Sequence, residues 1–194
     1  MRILFYLFLV FPLFVSAQVQ LKNASFEDEP QDATMPSDWK GCEFGTTPDI
    51  LPGSWGVYNE PYDGESYVGL ITRTDGTFES IGQELSAPLE KKECYQFGMY
   101  LAHSKAYSGY DIPVRIRIWG GSKRCDKKQL LVDTEGIENA EWEFYAFDFI
   151  AKKKISYITI EAFFAPGIYF PYQGNVLLDG VTPFKKCQRA MLGN

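Results

Sequence analysis

The chain has 194 residues, 45% hydrophobic and 23% charged, which is the composition of a folded domain and not of a disordered segment. A net charge of -6 lacks the basic footprint of a general nucleic-acid binder, and a single histidine leaves little for histidine-built metal sites or triad chemistry. The length suits one domain.

The chain opens with Arg2, an apolar run from Ile3 to Val15 broken only by Pro12, and a small-x-small pattern at Val15-Ser16-Ala17. This pattern predicts a secretory signal peptide over residues 1–17, cleaved before Gln18. The run is shorter than the ~20 residues a spanning helix needs, and no cysteine follows the cleavage site to carry a lipoprotein anchor. No later stretch is long and apolar enough to span a membrane. The mature protein is therefore expected to be secreted, periplasmic or on the outer cell surface. Five leader aromatics leave with the peptide (Phe5, Tyr6, Phe8, Phe11 and Phe14), so the remaining aromatic richness belongs to the domain.

Export gives the cysteines a meaning. Cys42, Cys94, Cys125 and Cys187 are widely spaced, with no close pair of the kind zinc sites use. In an oxidising compartment two disulfides are the default, and four cysteines allow three pairings among which spacing does not choose.

Residues 28–62 are the least regular part, with Pro30, Pro36, Pro48, Pro52 and Pro61. A loop this long in a compact domain is functional or tied down, and Cys42 within it favours a tie. Beyond it the period is two. Ile81, Gln83 and Leu85 share one face of a strand, as do Tyr95, Phe97, Met99 and Leu101 of the next. The run 114–119 alternates strictly, with Val114, Ile116 and Ile118 opposite Arg115, Arg117 and Trp119. Trp142 to Ile150, Ile155 to Phe164 and Val176 to Val181 are further β-rich runs. Turn signals separate them: Asp63-Gly64, Asp75-Gly76, Gly120-Gly121-Ser122, Pro166-Gly167 and Gln173-Gly174-Asn175. So many strands predict an all-β, two-sheet sandwich or jelly roll over residues 18–187, followed by a frayed tail over 188–194.

The order of short motifs resembles the galactose-binding-like jelly rolls of secreted carbohydrate-binding modules. Leu21-Lys-Asn-Ala-Ser-Phe-Glu27 looks like the opening strand of such domains, and Val176-Leu-Leu-Asp-Gly-Val181 like the closing one. Between them stand 61–69 (Pro-Tyr-Asp-Gly-Glu-Ser-Tyr-Val-Gly), Gly82-Gln-Glu-Leu, Cys94-Tyr-Gln-Phe and Trp142-Glu-Phe-Tyr. Arg117-Ile-Trp-Gly-Gly, Cys125-Asp-Lys and Phe170-Pro-Tyr-Gln-Gly-Asn resemble a subgroup found in surface proteins of Bacteroidetes-type bacteria. The resemblance covers nearly all of residues 18–187. It implies the pairs Cys94–Cys187 and Cys42–Cys125. It also implies a structural calcium ion, held by Glu27, Asp179 and the Asp63-Gly64 turn together with further oxygens, since calcium takes six to eight. The competing reading leaves Glu27 bonded to local backbone and Asp179 capping a turn.

Sugars need flat aromatic faces and planar hydrogen-bonding groups, and similar folds bind them on the concave sheet face or in edge loops. Arg115, Arg117 and Trp119 lie together on a face an apolar core would not accept. Tyr100 and Glu161 join them if they point the same way. The alternative is a solvated face with arginine stems over Trp119. Trp55, Tyr58, Tyr62, Tyr169 and Tyr172 are the loop candidates, while Trp39, Trp55 and Trp142 also suit core plugs. His103 falls where its strand ends and is expected to be partly exposed.

The chain has no Gly-x-Ser-x-Gly, His-Glu-x-x-His, phosphate-loop or dinucleotide glycine pattern, and no acid pair stands out for glycoside hydrolysis. The expectation is a non-catalytic, exported binding module for carbohydrate or another cell-surface or envelope ligand. The alternative is a structural or adhesion domain that contacts protein partners, because such interfaces also favour Tyr, Trp and Arg.

Overall fold

The computed structural model describes residues 18–187. The expected signal peptide (1–17) and tail (188–194) lie outside the described residues.

Among the described residues twelve strands follow in chain order: β1 (Lys40–Gly41), β2 (Asp49–Leu51), β3 (Tyr67–Thr72), β4 (Ser80–Leu89), β5 (Cys94–Ala102), β6 (Ile112–Pro113), β7 (Arg115–Gly121), β8 (Gln129–Asp133), β9 (Glu143–Ile150), β10 (Ile155–Phe163), β11 (Gly174–Asp179) and β12 (Lys185–Lys186). They form two sheets. One has five strands in the order β1-β4-β10-β7-β8; the other has seven, with β12-β5-β11-β3-β2 as its path, β9 beside β5 and β6 beside β11. Every pairing is antiparallel except β6 with β11. This is the all-β, two-sheet sandwich that the alternating pattern implied.

Alternation decides which side chains meet between the sheets. Tyr95, Phe97, Met99 and Leu101 of β5 are buried there, opposite Val114, Ile116 and Ile118 from β7 and its start. Phe149 and Phe184 close around Phe97, with the Phe97 and Phe184 rings 4.3 Å apart. A smaller cluster lies outside the seven-stranded sheet, where Leu51, Val57, Tyr67, Ile71 and Tyr107 are buried under the loops that cross β2 and β3.

Cys94 bonds to Cys187 and Cys42 to Cys125, which matches the pairing the resemblance implied. The first joins the start of β5 to the residue after β12, because Lys185 and Lys186 pair with Gln96 and Tyr95. The second ties the long irregular loop to the turn after β7.

Three features differ from the sequence reading. Residues 21–27 form turns rather than an opening strand, because Asn23 and Phe26 take left-handed backbone conformations (φ 40° and 56°) that break a ladder. Phe26 is buried against Trp39 all the same, 5.1 Å between ring centroids. Strand β8 has no clean alternation in sequence and forms because β7 offers its free edge. His103 is buried, not partly exposed; its Nδ1 lies 3.3 Å from the Asn175 carbonyl beneath the loop that follows β5.

Candidate functional site

Strands β7 and β10 lie side by side with Arg117 directly opposite Glu161 and Arg115 opposite Phe163. Residues two apart in a strand share a face, so Arg115, Arg117, Trp119, Glu161 and Phe163 form one patch on the outer face of the five-stranded sheet. Glu161 is fully buried at its centre. It accepts the Trp119 indole N–H at 2.8 Å, pairs with the Arg117 guanidinium, and lies 2.6 Å from the Lys127 ammonium.

The arginines are held from several sides. The Arg117 guanidinium sits 3.3 Å from the Phe163 ring centroid and 5.6 Å from that of Trp119. Arg115 pairs with Asp133 at 3.0 Å and lies 5.4 Å from the Phe163 centroid. Both are about one-fifth exposed, which leaves their edges accessible while their orientation is fixed.

Lys127 stands in the Cys125-Asp-Lys motif, but its sequence neighbours give it no site role. The Cys42–Cys125 bond brings two remote segments together over this sheet, and Lys127 bridges Glu43 on one segment to Glu161 below. Burial works against its charge, but the hydrogen bonds it donates to Glu161 and Glu43 outweigh that and hold its pKa above the usual lysine value. Phe163 was also missed, although it follows Glu161 at the two-residue spacing that would have placed it on this face.

Beside the patch runs the segment 165–171. Together with Arg115, Phe163 and Phe164 it encloses a groove of about 370 Å³. Its rim carries Ile168, Tyr169 and Phe170, with Tyr169 and Phe170 almost wholly exposed.

Several expected members of the site are elsewhere. Tyr100 lies on β5, in the other sheet, so it cannot share a face with Glu161. Its ring stacks on Tyr62 at 3.3 Å and lies 5.1 Å from Phe144, on the outer side of the seven-stranded sheet. Tyr172 is a core residue: it is buried against Phe164, and its hydroxyl donates to the Pro113 carbonyl while accepting from the Ala165 N–H. Trp55, half-exposed, stands at the β2–β3 edge of the seven-stranded sheet, and Tyr58 is exposed in the same loop. Trp39 is a fully buried plug, whereas the Trp142 indole donates to the Glu60 carbonyl at 2.8 Å.

The four residues expected around calcium do come together. The Asp179 Oδ2 accepts the Tyr62 and Asp63 backbone N–H groups at 2.9 and 3.0 Å, while its Oδ1 is buried with no protein partner. The Glu27 carboxylate accepts the Glu65 N–H at 2.9 Å and lies so close to Gly64 that a Cβ there would come within 2.1 Å of it. Gly64 also has φ +67°, so glycine is required twice over. Burial raises the Asp179 pKa to about 6, and the Glu27 charge adds to the rise. An orphaned carboxylate oxygen beside a second carboxylate fits a hard cation. From the Asp63-Gly64 turn, the Asp63 N–H donates to Asp179. Among the described residues no group of three or more His, Cys, Asp or Glu is placed to share a metal ion, so backbone oxygens or water would complete any such shell.

No protein-family model matches the chain, and no curated protein matches it. Its fold does match solved structures. A cyclase from Fischerella superposes with a TM-score of 0.58 at 15% identity, covering 89% of this chain and 99% of that one. A cleaved adhesin domain, K3, of Lys-gingipain from Porphyromonas gingivalis gives 0.54 at 15% identity, covering 87% and 98%. The xylan-binding domain CBM22-1 of Xyn10C from Paenibacillus barcinonensis gives 0.52 at 14% identity, covering 84% and 91%. At these identities the likeness establishes the two-sheet β-sandwich fold and nothing about activity.

Proposed function

We propose that the chain is an exported, non-catalytic binding module that takes a carbohydrate of the cell surface or envelope on the outer face of its five-stranded sheet. The observation that carries this reading is the Arg115–Phe163–Arg117–Trp119 row beside the groove under Tyr169 and Phe170. It combines the exposed edges of two fixed guanidinium groups with the open rings of Tyr169 and Phe170 at the groove rim, the pairing that sugar hydroxyls or a uronic carboxylate call for. The fold's likeness to a xylan-binding domain and to adhesin domains supports the same reading, and the two disulfides suit an extracellular or surface location.

A binding role is preferred to a catalytic one because Glu161, the acid of this face, is engaged by Arg117, Trp119 and Lys127. A carboxylate held by two cations suits positioning better than proton transfer. The test is a glycan array, repeated with Arg117→Ala and Trp119→Ala. Affinity that falls at least about tenfold in both variants, with melting temperatures above the assay range, supports the reading. A blank array refutes it.

A protein partner is the second reading. Phe44, Ile168, Tyr169 and Phe170 are exposed, and that much apolar surface is more than a sugar needs. Recovery of one envelope protein by pull-down, lost on Tyr169→Ala plus Phe170→Ala, would favour it.

We also propose that Glu27 and Asp179 hold a structural calcium ion. Its expected signature is a rise in Tm on adding calcium chloride that Asp179→Asn abolishes; an unchanged Tm would refute it.

A further inference from the structure

A second cavity, of about 300 Å³, opens at the β2–β3 edge of the seven-stranded sheet and is lined by Asp32, Asp49, Trp55, Arg73, Tyr107 and Tyr110 among others. It is chemically unlike the groove on the other sheet. Three aromatic rings form one wall: Trp55 meets Tyr110 edge-on at 6.2 Å, and Tyr110 meets Tyr107 edge-on at 6.0 Å. Two acids also line the cavity. Asp49 is almost fully buried, accepts the Ala33 N–H at 2.8 Å and is bonded by the Tyr107 hydroxyl. Asp32 is exposed and accepts the Trp55 indole N–H at 3.0 Å.

The charge balance of this cavity is negative. Among the described residues Arg73 is the one cation lining it, and its guanidinium is already tied to buried Glu79 at 2.6 Å. That leaves Asp32 and Asp49 beside each other without a counter-charge. Burial raises the Asp49 pKa, and neighbouring Asp32 raises it further, as two crowded carboxylates require.

Three kinds of ligand can be compared. A neutral polyol would leave the two acids unbalanced. A bare metal ion would find only two carboxylates and would gain little from the ring wall. An organic cation answers both features, since ring faces attract alkylammonium groups and the acids neutralise them.

We propose that this cavity is a binding site for an alkylammonium group of a small ligand, with Asp32 and Asp49 supplying the counter-charge and Trp55 and Tyr110 the ring faces. The site is independent of the sheet-face groove and does not rest on the proposed sugar-binding role.

Choline and its uncharged isostere 3,3-dimethylbutan-1-ol are the probes, titrated calorimetrically into the whole protein at low salt. The expected result is saturable choline binding, with the isostere at least about tenfold weaker because only the charge differs. Asp32→Asn and Trp55→Ala should each weaken choline by about tenfold or more. Both side chains are exposed enough that folding is preserved, which circular dichroism checks; Asp49 is too buried for that purpose. Equal binding of choline and isostere, no saturable choline binding, full affinity in Asp32→Asn, or displacement of choline by calcium chloride at matched ionic strength would each overturn the proposal. A blank glycan array alongside saturable choline binding would remove the proposed sugar site and leave this one standing.

Discussion

Arg117 and Glu161 are direct partners across the β7–β10 ladder, and both work inside a larger cluster. Glu161 is also held by Lys127 and the Trp119 indole, while Arg117 is wedged between the Phe163 and Trp119 rings. Removing one partner of a buried pair leaves uncompensated charge, which costs more than the pair itself contributes. Glu161→Gln should therefore lower unfolding stability by about 3 kcal/mol in urea titrations. A loss below about 1 kcal/mol would mean that solvent screens the cluster as it does a surface pair.

The Cys42–Cys125 bond closes a sequence separation of 83 residues and anchors the segment that carries Glu43 over the sheet. Replacing both cysteines with serine should cost roughly 2–4 kcal/mol, because the unfolded chain regains the freedom the bridge removes. Lys127 would also lose its fixed position between Glu43 and Glu161. Ligand affinity on the sheet face should fall with stability, measured on the same sample below its Tm.

Gly98 of β5 sits beneath the Phe144 ring of β9. A Cβ there would come within 2.4 Å of the ring and 2.7 Å of the Tyr145 carbonyl. The ring can turn away, but the backbone carbonyl cannot without parting the strands. Gly98→Ala should cost about 1–3 kcal/mol, in the range of overpacked sites. Gly109, with open space around it, provides a contrast in crowding, although its φ of +81° strains any alanine.

Acidity should act on the buried pair of Arg73 and Glu79. Burial raises the Glu79 pKa above its usual 4.5, although the Thr47 N–H, the Arg73 charge and the Ile71 N–H pull it down. The ionised side chain therefore costs stability at neutral pH. That cost is relieved as pH falls through the folded pKa toward 4.5, since the folded state binds the proton first. Wild type should gain stability relative to Glu79→Gln between pH 7 and pH 4.5. Denaturant titrations at three pH values check the sign, and a relative loss on acidification would contradict it.

The alternating runs read well because their burial pattern is local. Tyr95, Phe97, Met99 and Leu101 announce an inward face by spacing alone, and so do Val114, Ile116 and Ile118. The same logic fails where pairing is decided by a distant strand. Strand β8 has a mixed pattern and exists because β7 has a free edge. Tyr100 was legible as outward-facing, but the sheet it faces out of is set by topology, which local spacing does not carry. Tyr172 shows the opposite limit: a tyrosine flanked by Pro171 and Gln173 reads as a surface loop, yet its hydroxyl finds the Pro113 carbonyl and the Ala165 N–H inside the fold.

By itself the amino-acid sequence determined the strand alternation, the outward row Arg115–Arg117–Trp119, and an even set of cysteines in a chain with an export pattern. These rest on neighbouring residues and on composition, so no knowledge of the fold is needed to see them. Only the tertiary structure decided that Glu161 is the buried hub of that row and that Lys127 reaches it from another segment. It alone also brought Asp32, Trp55 and Tyr110 around one cavity. Those relationships join residues far apart in the chain, and their energies come from burial and from charges brought close together, which exist only once the two sheets have packed.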